Sequence, residues 1–141
     1  MRKPIYIIAA AAALLLVAIQ LIPYGHNHNN PDVLAEPVWV DQNTRDLALR
    51  ACYDCHSNET TWPWYADLAP ISWLVQRDVE EGRRVLNFSE WGGSGRRAFE
   101  ASEVVLEGEM PPVYYTWLHP QAKLTGAERQ TLAQGLQNSF K

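Results

Sequence analysis

The chain has 141 residues, 47% hydrophobic and 20% charged, with two cysteines and a formal net charge of -4. One domain fits that length, while the hydrophobic share excludes a disordered chain, two cysteines exclude a disulfide-dense scaffold and the acidic balance excludes a strongly basic nucleic-acid binder. The mean hydropathy of -0.27 averages an almost wholly apolar stretch with a polar remainder, so two solvents are implied.

In chain order, Arg2 and Lys3 precede Ile5 to Ile22, an apolar run interrupted only by Gln20. Eighteen residues in a helix extend about 27 Å, close to the thickness of the hydrocarbon layer. No small-x-small cleavage site follows the run, so residues 1–24 are predicted to be an uncleaved signal anchor, a single transmembrane helix with its basic end in the cytoplasm. The rest of the chain is then placed in the periplasm, at the outer face of a bacterial inner membrane. Residues 25–37 read as a tether, because His26 to Pro31 has no period and Pro37 blocks a helix. The second unit is 38–141. Without Arg2 and Lys3, ten basic residues face 16 acidic ones, and the resulting charge of -6 favours basic protein surfaces as partners over nucleic acid.

Thr44 to Ala51 reads as a helix with Thr44 as its N-cap and Asp46 in the first turn. Leu47, Ala51 and Cys55 follow at intervals of four and are expected to share one face. The next residues, Cys52-Tyr53-Asp54-Cys55-His56, are C-x-x-C-H, the attachment sequence of c-type haem. Two thiols at that spacing can add to the two vinyl groups on one haem edge, and the adjoining imidazole can reach the iron. A thioredoxin-like pair would need a strand before it and a helix after it, and a zinc site would need four ligands. One covalent haem c, held by Cys52, Cys55 and His56, is therefore the predicted cofactor.

Ile71, Leu74, Val75 and Val79 predict a helix over Ile71–Arg84, and Ala98, Phe99, Ala101, Val105 and Leu106 predict another over Ser94–Glu107. Gly108 is placed to stop that helix, Pro111 draws Met110 into an extended conformation, and Pro112 stiffens the loop. Met1 lies at the cytoplasmic end, so Met110 is the only methionine open to the exported unit and the expected distal iron ligand. His119 is the second choice; His26 and His28 read as solvated. Thr125-Gly126-Ala127-Glu128 is a capping box opening a last helix with Leu132, Leu136 and Phe140 at intervals of four. No alternating strand pattern appears, so the fold is predicted to be all-α, a cytochrome-c-like domain of about four short helices with long loops around one haem.

Trp62, Trp64, Tyr65, Trp73, Trp91, Tyr114, Tyr115 and Trp117 are expected to contribute to the haem wall, and Arg83, Arg84, Arg96 and Arg97 are candidates to pair haem propionates. The sequons at Asn58 and Asn87 and the glycine-rich run Gly92-Gly93-Ser94-Gly95 carry little weight, the latter lacking the lysine and strand of a phosphate loop.

The runs Cys52 to Asn58 with Trp62-Pro63-Trp64-Tyr65, Asp78-Val79 with Gly82-Arg83 and Leu86 to Trp91, and Met110-Pro111-Pro112 with Leu118-His119-Pro120 and Leu124-Thr125 resemble the bacterial haem-binding domain family, a cytochrome-c-like group. The resemblance spans Val38 to the C-terminus. It implies covalent haem c at Cys52 and Cys55, with His56 proximal and Met110 distal. The expected function is membrane-anchored one-electron transfer to redox partners such as membrane oxidoreductases, not enzymatic turnover. A haem-based sensor or gas-binding module with a labile distal ligand is the alternative, and a peroxidase finds no distal His-Arg pair to support it.

Overall fold

A computed structural model describes residues 3–92 and 95–139. Arg2, Gly93, Ser94 and Phe140, and the side chains of Arg96 and Ala98, lie outside the described set. The described residues form α1 (Lys3–Ile19), α2 (Gln42–Ala51), α3 (Tyr53–His56), α4 (Ile71–Val85), α5 (Gly95–Glu107), α6 (Val113–Leu118) and α7 (Gly126–Ser139), with 3₁₀ turns at Trp64–Asp67 and Pro120–Ala122. Strand pairing among them is limited to a parallel bridge between Ala35 and Glu90. The class is all-α, as predicted. α3 and α6 add to the expected four helices of the domain, being too short to show a period.

α1 departs from the expected span. Its helix stops at Ile19, and no helix among the described residues is long and apolar enough to cross a membrane. Gln20 ends it: its side-chain amide donates to the Leu16 carbonyl at 2.9 Å and to the Ala69 carbonyl at 2.9 Å, and its own carbonyl accepts from the Ala69 amide at 3.0 Å. Seventeen residues rise only about 25 Å, short of the hydrocarbon layer of about 30 Å.

Residues 25–37 are extended and lie on the domain. His28 stacks on Trp62 with ring centroids 4.6 Å apart, Asn30 donates to the Thr60 carbonyl and accepts from the Trp62 indole, and the amides of Leu34 and Ala35 both donate to the Ser89 carbonyl. Glu36 takes a two-point contact from Arg45 and a hydroxyl from Tyr53 at 2.9 Å; Arg45 lowers its pKa most, partly offset by burial.

The core sits where α2, α5 and α7 meet. Leu47, Ala48 and Ala51 from α2 pack with Val105 from α5 and Leu132, Ala133 and Leu136 from α7. Phe88 completes it, stacked between Tyr53 and Trp91. The close α2–α7 crossing decides the capping of α2. Thr44 is buried against Gly135, where a Cβ would fall 2.1 Å from its hydroxyl, so the cap role passes to Asp41, which accepts the Thr44 amide at 2.7 Å. On α4 the buried face is Ser72, Gln76, Val79 and Gly82, and Ile71 and Leu74 are exposed. On α5, Val105 is buried but Phe99 and Leu106 are exposed.

The capping box of α7 forms as predicted. Glu128 accepts the Thr125 amide at 2.7 Å and the Thr125 hydroxyl receives the Glu128 amide at 3.2 Å. The Thr125 amide first, then Arg50 at 2.6 Å, pulls the Glu128 pKa down to about 2 from 4.5. Because the folded value is the lower one, this stabilisation is complete above the ordinary carboxylate range and is lost as pH falls through about 2. Urea midpoints measured against pH should show Glu128→Gln less stable than the parent at neutral pH, with the gap closing as pH falls from 4.5 toward 2.

Candidate functional site

α2 ends at Ala51 because Cys52 leaves helical geometry, with φ -127° and ψ -34°. The chain restarts at once as α3, which carries Cys55 and His56, so Cys52 sits at the break between two helices and the two cysteines do not share one continuous helix. Both variable positions of the motif are anchored. Tyr53 is buried and bonded to Glu36, and Asp54 accepts the Tyr115 hydroxyl at 2.6 Å and the Thr61 amide at 3.0 Å.

Cys52, Cys55 and His56 open into a cavity of about 660 Å³, within the roughly 300–1,000 Å³ of small-molecule and cofactor sites. Its walls are largely apolar: Ala51, Val85, Leu86, Phe88, Val104 and Leu136 are among its lining residues, and Met110, Pro111 and Pro112 line it too. Both cysteines are free thiols, and burial above all raises their pKa to about 12. They are kept protonated there, and no disulfide joins them.

His56 is oriented by α4. Its Nδ1 lies 3.0 Å from the Gly82 carbonyl and 3.0 Å from the Leu86 carbonyl. Both partners only accept, so Nδ1 carries the proton and Nε2 keeps its lone pair, the arrangement of a metal-binding histidine fixed by its other nitrogen. Burial lowers the His56 pKa and outweighs the two carbonyls, which act the other way. Gly82 permits this approach: a Cβ there would lie 2.2 Å from the Cys55 carbonyl oxygen.

Met110 is held by the end of α5. The Gly108 amide donates to the Val105 carbonyl, the Glu109 amide to the Val104 carbonyl, and Gly108 has φ +80°, a Schellman ending at the glycine predicted to stop the helix. The Met110 amide donates to Val104 as well, at 3.2 Å. His119 does not line this cavity. It faces a smaller space beside Cys55, stacked on Tyr115 at 4.1 Å with its Nε2 3.3 Å from the Tyr65 hydroxyl.

Several sequence expectations are redistributed. Of the eight aromatic residues named for the haem wall, Tyr114 and Tyr115 line the large cavity; Trp62 pairs with His28, Trp91 with Phe88, and Trp64 and Trp117 are exposed. Of the arginines, Arg97 lines it. Arg83 instead locks the motif loop, donating to the Ser57 carbonyl at 2.7 Å and to Asn29, Asn30 and Thr60. Arg77, Asp78, Glu81 and Glu100 also line the cavity and were missed. They share helix faces with Leu74, Val85, Ala101 and Val104, and a hydrophobic period cannot report charged members of a face. Burial raises the Asp78 pKa against the opposing hydroxyl of Tyr114 at 3.0 Å. Asn58 is buried and donates to Asp32 and Glu90, which accounts for one sequon as structural.

Among the described residues, no group of three or more His, Cys, Asp or Glu could hold a metal ion. The donor set fits haem instead: one oriented imidazole, one thioether and two thiols around a single apolar space of cofactor size, with Arg77 and Arg97 among its lining residues. An all-α domain built around such a cavity defines the class. A family model described as a haem-binding domain matches residues 14–138, and the chain belongs to that family. Its cofactor is haem. No match was found among curated proteins or among solved structures.

Proposed function

We propose that the chain is a monohaem c-type cytochrome that carries one electron at a time, with haem joined as thioethers to Cys52 and Cys55 and its iron ligated by His56 and Met110. The observation that carries this reading is the Nδ1-protonated His56 sharing an apolar cavity with two free thiols and the Met110 loop. When bound, haem supplies a one-electron iron couple, and His/Met ligation sets that couple to a raised potential.

The protein's part is positional. Gly82 and Leu86 hold the imidazole, the Schellman turn and two prolines hold the thioether, and the apolar walls exclude water. With His56 and Met110 both holding the iron, no ligand position would be left for substrate, which favours a carrier over a haem enzyme or a gas-binding module. The acidic surface suits a basic redox partner. We place the domain outside the cytoplasm, at the outer face of a bacterial inner membrane, with α1 acting as export segment and as a lipid-embedded attachment.

Met110→Ala tests the distal assignment. The oxidised variant is expected to lose its sulfur-to-iron charge-transfer band, its potential should fall, and the reduced variant should bind carbon monoxide where the parent resists it. An unchanged oxidised spectrum would remove Met110 as ligand. A parent that takes up carbon monoxide readily would favour the sensor reading.

A further inference from the structure

α1 packs against no other helix among the described residues, and its apolar side chains are exposed all round, as at Ile7 (69%), Leu14 (70%) and Val17 (66%). A protein partner covers a stripe of a helix, whereas lipid covers the whole circumference. The foot of this helix is not a swivel. Gln20 and Ala69 exchange two hydrogen bonds, the amide of one side chain satisfying both backbone groups of the other residue. Gly25 is packed against Ser72, where a Cβ would fall 2.8 Å from the backbone carbonyl carbon. Tyr24 then donates to Glu80 at 3.1 Å, further along α4.

This clamp gathers apolar groups that the domain leaves uncovered. Leu21 and Ile22 follow Gln20, and Leu68 and Ile71 flank Ala69, so all four lie within two residues of the same pair of hydrogen bonds. Each is exposed, Leu68 at 47% and Ile71 at 45%. Trp64, on the 3₁₀ turn that leads to Leu68, is exposed as well, and tryptophan is enriched where apolar and polar layers of a membrane meet.

We propose that Leu21, Ile22, Leu68 and Ile71 form a lipid seat, so that the haem domain rests on the bilayer in one orientation when α1 is embedded in it. The proposal rests on the lipid reading of α1 given above. The partner is the interfacial layer of a phospholipid membrane, recognised by apolar contact. Anionic headgroups are not needed, and the negative charge of the domain opposes them. Residues 25–37 then serve as a strap that fixes orientation, and a partner meets the haem from a restricted set of directions.

The test uses the full chain in phosphatidylcholine vesicles containing a lipid with a photoactivatable carbene precursor near the glycerol backbone, with adducts mapped by peptide mass spectrometry. Adducts are expected on α1 and also on the peptide covering residues 64–71. In the double variant Leu68→Glu, Ile71→Glu, both substitutions being at exposed positions, the 64–71 adducts should be lost while those on α1 remain. Adducts confined to α1 in the parent would overturn the seat and leave the lipid reading of α1 standing. Failure of the parent to float with the vesicles would overturn that reading and the seat with it.

Discussion

Gly82→Ala is expected to be among the most damaging single-methyl changes in the domain. The added Cβ would meet the Cys55 carbonyl oxygen at 2.2 Å and its carbon at 2.8 Å, and both are backbone atoms that cannot rotate aside. Overpacking of this kind costs roughly 1–3 kcal/mol. Separating α3 from α4 also draws the Gly82 carbonyl away from His56 Nδ1, a hydrogen bond worth about 1 kcal/mol. The variant should therefore show a lower unfolding temperature and poor haem retention together. Gly92→Ala is the control, since nothing lies within 4 Å of its Cβ position, and it should melt like the parent. Equal melting of the two variants would contradict the tight α3–α4 approach.

The second large effect is expected at Arg83, whose guanidinium ties the C-x-x-C-H loop, through Ser57 and Thr60, to the strap at Asn29 and Asn30. Burial lowers its pKa, yet it stays charged across the accessible range. Arg83→Met removes all four hydrogen bonds, those to the Ser57 carbonyl and the Thr60 hydroxyl being partly buried and those to Asn29 and Asn30 exposed, for a loss of about 2 kcal/mol. Arg83→Lys keeps the charge but not the fork and should recover only part of the loss. Urea midpoints of the three proteins measure this. A lysine variant as stable as the parent would show that charge alone holds the loop.

How much of this was legible depends on the range of the interaction. The glycine stop before Met110 and the capping box are local chemistries written in neighbouring residues, and each was found where expected. Gly82, Thr44 and Gln20 were not legible in their roles because each role is set by a distant partner. Thr44 lost its cap function to a contact with Gly135, and Gln20 ends α1 through Ala69, which is remote in sequence. Residues 25–37 lacked a period because their contacts run through single side chains such as His28 and Asn30 instead of a repeating face. Aromatic type alone does not place a side chain in the cavity: of the eight, Tyr114 and Tyr115 of α6 line it, and Trp117 of the same helix does not. Trp62 and Trp91 stack on His28 and Phe88, Tyr65 meets His119 edge-on, and Trp64 and Trp117 are exposed.

The proposed cytochrome depends on one haem bonded covalently to this chain through Cys52 and Cys55. Intact mass spectrometry of protein made alongside a c-type maturation system, with a pyridine haemochrome spectrum of the same sample, tests it most directly. The expected result is a mass increase of one haem that survives denaturation and a haemochrome band of the type given by two thioether bonds. Cys52→Ala or Cys55→Ala should shift that band toward the single-thioether position. A polypeptide of unmodified mass, or haem that is extracted by acid and organic solvent, would contradict it.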